Sequence, residues 1–194
     1  MKPFVDTKKP DNKRVIDGVY ETGKMRLTIA ESMVSKQFKS KESTHRRYMI
    51  EKLALIQLKG IKGFPQLLES FDDMHLLRMT RLSGVRPNRL SESHLHQLHH
   101  LVRAMLKAGV ARHSLPIRDL LVSPQGKISM VDFERATLKS RSSWLTWWVA
   151  KQVSLYHLYR LMAQYQPQML TPRQSRFVQY SLMLRGLVHK VNHL

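Results

Sequence analysis

Apolar positions along the chain fall into two regimes. In residues 14–39 they come in short groups: Val15, Ile16, Val19 and Tyr20, then Met25, Leu27 and Ile29, then Met33, Val34 and Phe38. The last two groups alternate with polar residues, the period-two pattern of half-buried strands. Gly18 and Gly23 stand where turns are needed. A helix is expected from Ser43 or Thr44 to about Leu58, with Tyr48, Leu53, Leu55, Ile56 and Leu58 on its apolar side. Gly60, Gly63 and Pro65 end it. Two further short strands are expected near residues 66–70 and 74–79, and Leu82-Ser83-Gly84 reads as a hinge.

Beyond the hinge the period changes to that of helices. Leu95, Leu98, Leu101, Val102, Met105 and Leu106 recur at helical spacing between a Ser91 cap and a terminating Gly109. A loop at 112–118 leads to a short strand at 119–122, the turn Ser123-Pro124-Gln125-Gly126 and a strand at 128–131. Proline and glycine make that turn a hairpin with a mechanism. Residues 144–165 are strongly apolar, interrupted by Lys151, Gln152, His157 and Arg160. Thr171-Pro172 opens the last helix with proline at its first position. The order predicts a polar basic arm at 1–13, a strand-rich lobe with one helix at 14–82, and a helical lobe at 83–194 that carries the hairpin at the junction. The fold class is α+β, with the cleft between lobes as the natural ligand site.

Composition narrows this picture. With 194 residues and 42% hydrophobic content, the chain can bury a real core. The absence of cysteine excludes disulfides, a thiolate nucleophile and cysteine zinc sites. The N-terminal residues hold no apolar signal core, and no run reaches the roughly 18 apolar residues of a spanning helix. The expected location is the cytoplasm, with peripheral contact at the inner membrane face. A net charge of +19 attracts polyanions. The basic residues are scattered, so charge alone selects no partner, and nucleic acid is the weaker expectation because no nucleic-acid motif has the right spacing.

One stretch carries more specific chemistry. Ala111-Arg112-His113-Ser114-Leu115-Pro116-Ile117-Arg118-Asp119-Leu120-Leu121-Val122, followed by Val131-Asp132-Phe133-Glu134, resembles the catalytic loop and metal-binding turn of the protein-kinase-like superfamily. The small bacterial version reads H-G-D-L-x-P-x-N-x-L-V, a hairpin, then x-D-F. Upstream, Met33-Val34-Ser35-Lys36-Gln37-Phe38 resembles the strand whose lysine contacts nucleotide phosphates, and Glu51 with Lys52-Leu53-Ala54-Leu55 resembles the helix whose glutamate pairs with that lysine. Gly63-Phe64-Pro65-Gln66-Leu67-Leu68 is similar to the segment that follows. The match runs from about residue 14 to 138 and is nearest to the minimal lipopolysaccharide core kinases and RIO-type kinases.

The resemblance implies a two-lobed protein-kinase-like fold, a small β-rich N-lobe, a truncated helical C-lobe, and ATP and Mg²⁺ as cofactors. Lys36 and Glu51 would bind the nucleotide, while Asp119 and Asp132 would hold the metal, a hard ion that favours carboxylates. Ser114 falls on the catalytic aspartate, and His113 is offset from it by one residue. A hydroxyl without an adjacent base cannot accept the substrate proton, and that loss costs roughly 10²- to 10⁴-fold in rate. The glycine-rich phosphate loop is missing, since Asp17-Gly18-Val19-Tyr20-Glu21-Thr22-Gly23 has two glycines but not the close series. D-F-G has become Asp132-Phe133-Glu134. The implied activity is phosphoryl transfer to a sugar hydroxyl of an anionic glycolipid such as lipopolysaccharide, or to a protein, at reduced rate. The alternatives are a pseudokinase that binds partners and a basic module for nucleic acid or anionic membrane.

Two other clusters stand out. His94, His96, His99 and His100 crowd one helix, and His96 and His100 share a face as a metal pair would. No H-E-x-x-H arrangement accompanies them, and a polar helix surface is the expectation. Trp144, Trp147 and Trp148, after Lys139 and Arg141, are expected in the core of the helical lobe; the alternative is an anchor at a membrane surface.

Overall fold

The computed structural model describes residues 17–40 and 43–191, with side chains described as far as residue 183. The arm expected at 1–13, and Val15 and Ile16 of the first apolar group, lie outside the described residues. Alternation produces the expected strands β1 (Val19–Glu21), β2 (Met25–Ile29) and β3 (Met33–Phe38). With β4 (Leu67–Phe71) and β5 (Leu76–Thr80) they form a five-stranded antiparallel sheet in the order β1-β2-β3-β5-β4. Lys36 on β3 stands opposite Leu27 of β2 and Leu77 of β5, at the middle of the sheet. The period-two geometry of β3 buries Lys36 and Phe38 on one face and leaves Gln37 on the other.

Helix α1 (Thr44–Gln57) lies against this sheet. Its buried positions include Tyr48, Glu51, Ala54 and Leu55, one stripe at three- and four-residue spacing. Glu51 therefore sits between apolar neighbours on the inward face. Ile56, expected on the apolar side, is 48% exposed, because it is turned about 100° from Leu55 around the helix. Tyr48 packs edge-on against Phe38 at 6.1 Å between ring centroids and donates its hydroxyl hydrogen bond to Asp72.

The rest of the chain is mainly helical. Ser91 caps α2 (Glu92–Lys107) by accepting from the His94 N–H, while His94 Nδ1 accepts from the Ser91 N–H. After α2 the structure departs from the expected loop: β6 (Val110–Arg112) pairs with β9 (Ala136–Leu138), two short strands far apart in sequence. Between them β7 (Leu120–Val122) and β8 (Ile128–Met130) form the expected hairpin. Asp119, expected in the strand, ends the short 3₁₀ turn Ile117–Asp119 instead. Ser143 caps α3 (Trp144–Tyr165), and α4 (Pro172–Val191) begins at proline as expected.

One contiguous core runs from Phe38, Tyr48 and Leu77 beneath the sheet, through Phe64 and Phe133, to Leu95, Met105 and Leu158 among the helices. The chain has the expected mixed α+β class. Two tryptophans depart from the expectation that they enter this core: Trp144 is 79% exposed and Trp148 is 54% exposed. The first turns of α3 leave Trp144, Leu145, Trp148 and Val149 exposed among the described residues, so a strongly apolar sequence there is not matched by burial. No helix of the described residues is long and apolar enough to cross a membrane.

Candidate active site

The site is assembled where β3, α1 and the segment after β8 converge. Lys36 Nζ donates to Glu51 Oε2 at 2.6 Å and to Asp132 Oδ1 at 3.0 Å, and it lies 3.8 Å from Glu134 Oε2. Residues 36, 51 and 132, singled out separately from the sequence, thus meet around one ammonium. Glu51 reaches further: its Oε1 accepts from the Phe133 N–H at 3.5 Å. The buried pair therefore locks onto the backbone next to Asp132. Phe133 is itself buried, edge-on to Phe64 at 5.8 Å between centroids.

Asp132 adopts φ +70°, a left-handed conformation that costs a non-glycine residue about 1–2 kcal/mol. Such a conformation persists where the surroundings over-determine it. Here Lys36 holds the side chain, Glu51 holds the next N–H, and Arg112 holds the preceding carbonyl. The turn aims the Asp132 carboxylate back at β3, where an extended backbone would carry it away.

Arg112 is the residue that sequence reasoning missed. Its position at the end of β6 buries it, and the Ser154 hydroxyl of α3 accepts from its backbone N–H at 2.8 Å. From there Nη1 donates to the Val131 carbonyl at 2.9 Å and Nη2 donates to Asp119 Oδ2. The guanidinium lies 5.5 Å from the Phe133 ring centroid. The only sequence signal was its place beside His113 in the loop motif. Arg47 was missed too: buried on α1, it lies 3.8 Å from Glu134. Glu134, which replaces the glycine of D-F-G, is drawn inward between Lys36 and Arg47.

The electrostatics follow from three carboxylates sharing two buried cations. Burial lowers the affinity of Lys36 for its proton, but Asp132, Glu51 and Glu134 outweigh it and raise the lysine above its ordinary value. Burial pushes Glu51 up to about 7 against the pull of Lys36, with Asp132 and Glu134 adding to the rise. Burial works the same way on Asp132, yet Lys36 and Arg112 hold its carboxyl below the usual range. Asp119 is raised by burial despite its bond to Arg112.

A small polar cavity of about 180 Å³ opens beside this network. Asp119 and Asp132 both line it, with Ser114, His113, Arg118, and Lys24 from the β1–β2 turn. The β1–β2 turn, next to the stretch that lacks the glycine-rich series, thus contributes a lysine to the cavity. Ser114 is exposed and makes no hydrogen bond among the described residues, while His113 Nε2 lies 2.7 Å from Thr137 Oγ1 on β9. A larger cavity of about 700 Å³ lies between residues 81–88 and the hairpin turn, and it holds none of the expected site residues. Oxygen atoms of Glu51, Asp132 and Glu134 come within 4.8 Å of one another. The Lys36 ammonium already occupies the centre of that cluster. For a hard divalent cation the donor set that fits better is Asp132 and Asp119, facing one polar cavity. No histidine cluster forms such a group among the described residues.

No protein family model and no curated protein matches the chain. Solved structures do. A crystal structure of WbdD with a kinase inhibitor is similar over 76% of this chain and 38% of its own, with TM-score 0.54 and 17% identity. A second crystal structure of WbdD is similar over 72% of this chain and 35% of its own, with TM-score 0.53 and 19% identity. What is shared is the fold. The chain spans little more than a third of the length of these structures.

Proposed function

We propose that this chain binds ATP with Mg²⁺ and acts as a kinase-like phosphotransferase of reduced rate. The observation that carries this reading is the buried Lys36–Glu51 pair with Asp132 on the same ammonium. Phosphoryl transfer depends on positioning and on neutralising phosphate charge, and in kinases a lysine–glutamate pair and a metal-holding aspartate must both be in place. Lys36 is charged and bound to Asp132, which lines the cavity, so its ammonium stands next to the place where a phosphate oxygen would sit. Asp132 and Asp119 would hold Mg²⁺, which when bound neutralises phosphate charge. Lys24 and Arg118 add positive charge where backbone N–H groups of a glycine-rich loop would otherwise act.

The acceptor end of the cavity explains the reduced rate. Ser114 offers a hydroxyl and no carboxylate to take a proton, and His113 is tied to Thr137 on β9. An anionic glycolipid hydroxyl, or a protein hydroxyl, is the acceptor class we assign, because the cavity rim is cationic. The hold of Arg112 on Asp119 supports a second reading, a pseudokinase that binds nucleotide or partners without transferring phosphate.

A thermal-shift titration with ATP and Mg²⁺, comparing wild type with Asp132→Ala, tests the proposal. A ligand that binds only the folded state adds about 2.7 kcal/mol at roughly 100 times its dissociation constant. The expected outcome is a Mg²⁺-dependent shift in wild type that is absent in the variant, each read against its own ligand-free baseline. No shift at millimolar nucleotide would remove the nucleotide reading altogether. A shift without detectable γ-phosphate loss would select the pseudokinase.

A further inference from the structure

The first two turns of α3 present Trp144, Leu145, Trp148 and Val149 to solvent, exposed by 79%, 54%, 54% and 46%. Positions i, i+1, i+4 and i+5 lie on one side of a helix, so these side chains form a single apolar ridge. A ridge of two indoles and two aliphatic side chains is more than scattered surface apolarity requires. Nothing in the candidate active site uses it.

Its electrostatic setting is one-sided. Residues 135–194 carry nine lysines and arginines and no aspartate or glutamate. Lys139 and Arg141, both exposed, belong to the 3₁₀ turn that leads into the ridge. Lys151, also exposed, follows Trp144 by seven residues, about two helical turns, and so returns to the same side. Indole rings above an apolar edge, in a segment that carries cations and no anion, match the boundary between anionic headgroups and acyl chains. A second copy of the chain fits poorly, because a self-complementary contact would set cations against cations. Base stacking on nucleic acid would use the indoles but leaves Leu145 and Val149 without a role.

We propose that the N-terminal end of α3 is a peripheral docking surface for an anionic lipid bilayer, with Trp144 and Trp148 inserted at headgroup depth and Lys139, Arg141 and Lys151 on the phosphates. This inference is independent of nucleotide binding. It would bring the chain to a surface where anionic glycolipids reside.

The three tryptophans of the protein are Trp144, Trp147 and Trp148, so tryptophan fluorescence reports on the first turns of α3. The full-length chain is titrated with phosphatidylcholine vesicles, with and without phosphatidylglycerol, and binding is read by tryptophan emission and by co-sedimentation. The expected result is a blue shift and co-sedimentation only with phosphatidylglycerol, both weakened by salt. Each cation at the surface contributes about fivefold in affinity, so Arg141→Glu with Lys151→Glu lowers binding at least 25-fold, roughly. Trp144→Ser with Trp148→Ser, both at exposed positions that the fold does not need, lowers co-sedimentation on the order of tenfold. Absence of binding to phosphatidylglycerol vesicles overturns the proposal. So does binding without a blue shift, which would mean charge contact elsewhere on the protein. A single-stranded oligonucleotide that quenches the tryptophans and displaces the vesicles, or a dimer abolished by the double tryptophan variant, would assign the ridge to those partners instead.

Discussion

Lys36 Nζ and Glu51 Oε2 meet at 2.6 Å between the middle of the sheet and the inward stripe of α1, with both residues almost fully buried. A salt bridge so enclosed is not a source of stability in itself, because both ions lost their hydration. It is informative because Asp132 and the Phe133 N–H complete it from the segment after β8. The same bond that organises β3 and α1 therefore positions Asp132, the residue proposed to hold a metal.

Removing the cation should cost more than removing its partner. Lys36→Met leaves Glu51, Asp132 and Glu134 facing one another, and we expect a loss of about 3–5 kcal/mol in unfolding free energy. Glu51→Gln leaves the ammonium two carboxylates and a neutral hydrogen-bond partner, and we expect about 1–2 kcal/mol. Urea denaturation measures both, and equal losses would contradict the arrangement.

The pH dependence of stability follows from Glu51. Its folded pKa of about 7 lies above the ordinary value of 4.5, so the folded state holds the proton more tightly than the unfolded chain. That contribution is fully present below 4.5 and is lost as pH rises through about 7. Asp132, held below the usual range, acts oppositely: its contribution is present above the ordinary carboxylate value and disappears as pH falls through its depressed one. The stability of wild type relative to Glu51→Gln should therefore fall between about pH 4.5 and pH 7. Denaturation midpoints of both proteins across that interval provide the check, and parallel curves would count against it.

Gly84 is expected to be the least replaceable glycine at the junction. Its φ is +126°, and a Cβ there would lie 2.5 Å from the Val122 carbonyl oxygen. The neighbouring Val85 and Val122 exchange two backbone hydrogen bonds at 3.0 and 2.8 Å, which hold the two segments together. Gly84→Ala should destabilise by about 2 kcal/mol or more, combining backbone strain with the clash. Gly126, at φ +72° with open space around it, should lose only about 1 kcal/mol on the same substitution. Thermal unfolding of the two variants separates the effects.

Ser114→Asp tests whether the cavity is one residue short of efficient catalysis. The new carboxylate would enter a cavity where Lys24, Arg112, Arg118 and Arg135 outnumber Asp119, Asp132 and Glu134, and the cations favour the ionised form that accepts a proton. Release of labelled phosphate from γ-labelled ATP should rise by roughly 10²-fold or more, within the range of a restored general base. An unchanged rate with intact nucleotide binding would favour the pseudokinase.

Much of the architecture was legible in the sequence because it is local. The period-two groups became β2 and β3, the apolar run at 144–165 became α3 (Trp144–Tyr165), and Pro124 with Gly126 made the expected hairpin turn. These elements depend on neighbours within a few residues, and spacing and turn chemistry report them directly. The sequence also points to Lys36, Glu51 and Asp132, through a resemblance and not through any measure of proximity.

What tertiary structure decided is which side chains are enclosed and what they meet. Lys36 and Asp132 are 96 residues apart, and only the closing of sheet against helices brings them within 3.0 Å. Arg112 is one of 33 lysines and arginines, and composition could not mark it as the one buried against Asp119, Val131 and Phe133. The β6–β9 pair was invisible for the same reason, since three-residue strands carry no readable period. Trp144 and Trp148 reverse the usual inference from apolarity to burial. A hydrophobic sequence states a preference for leaving water, but whether a neighbour is present to satisfy it depends on packing, and at the start of α3 none of the described elements covers it.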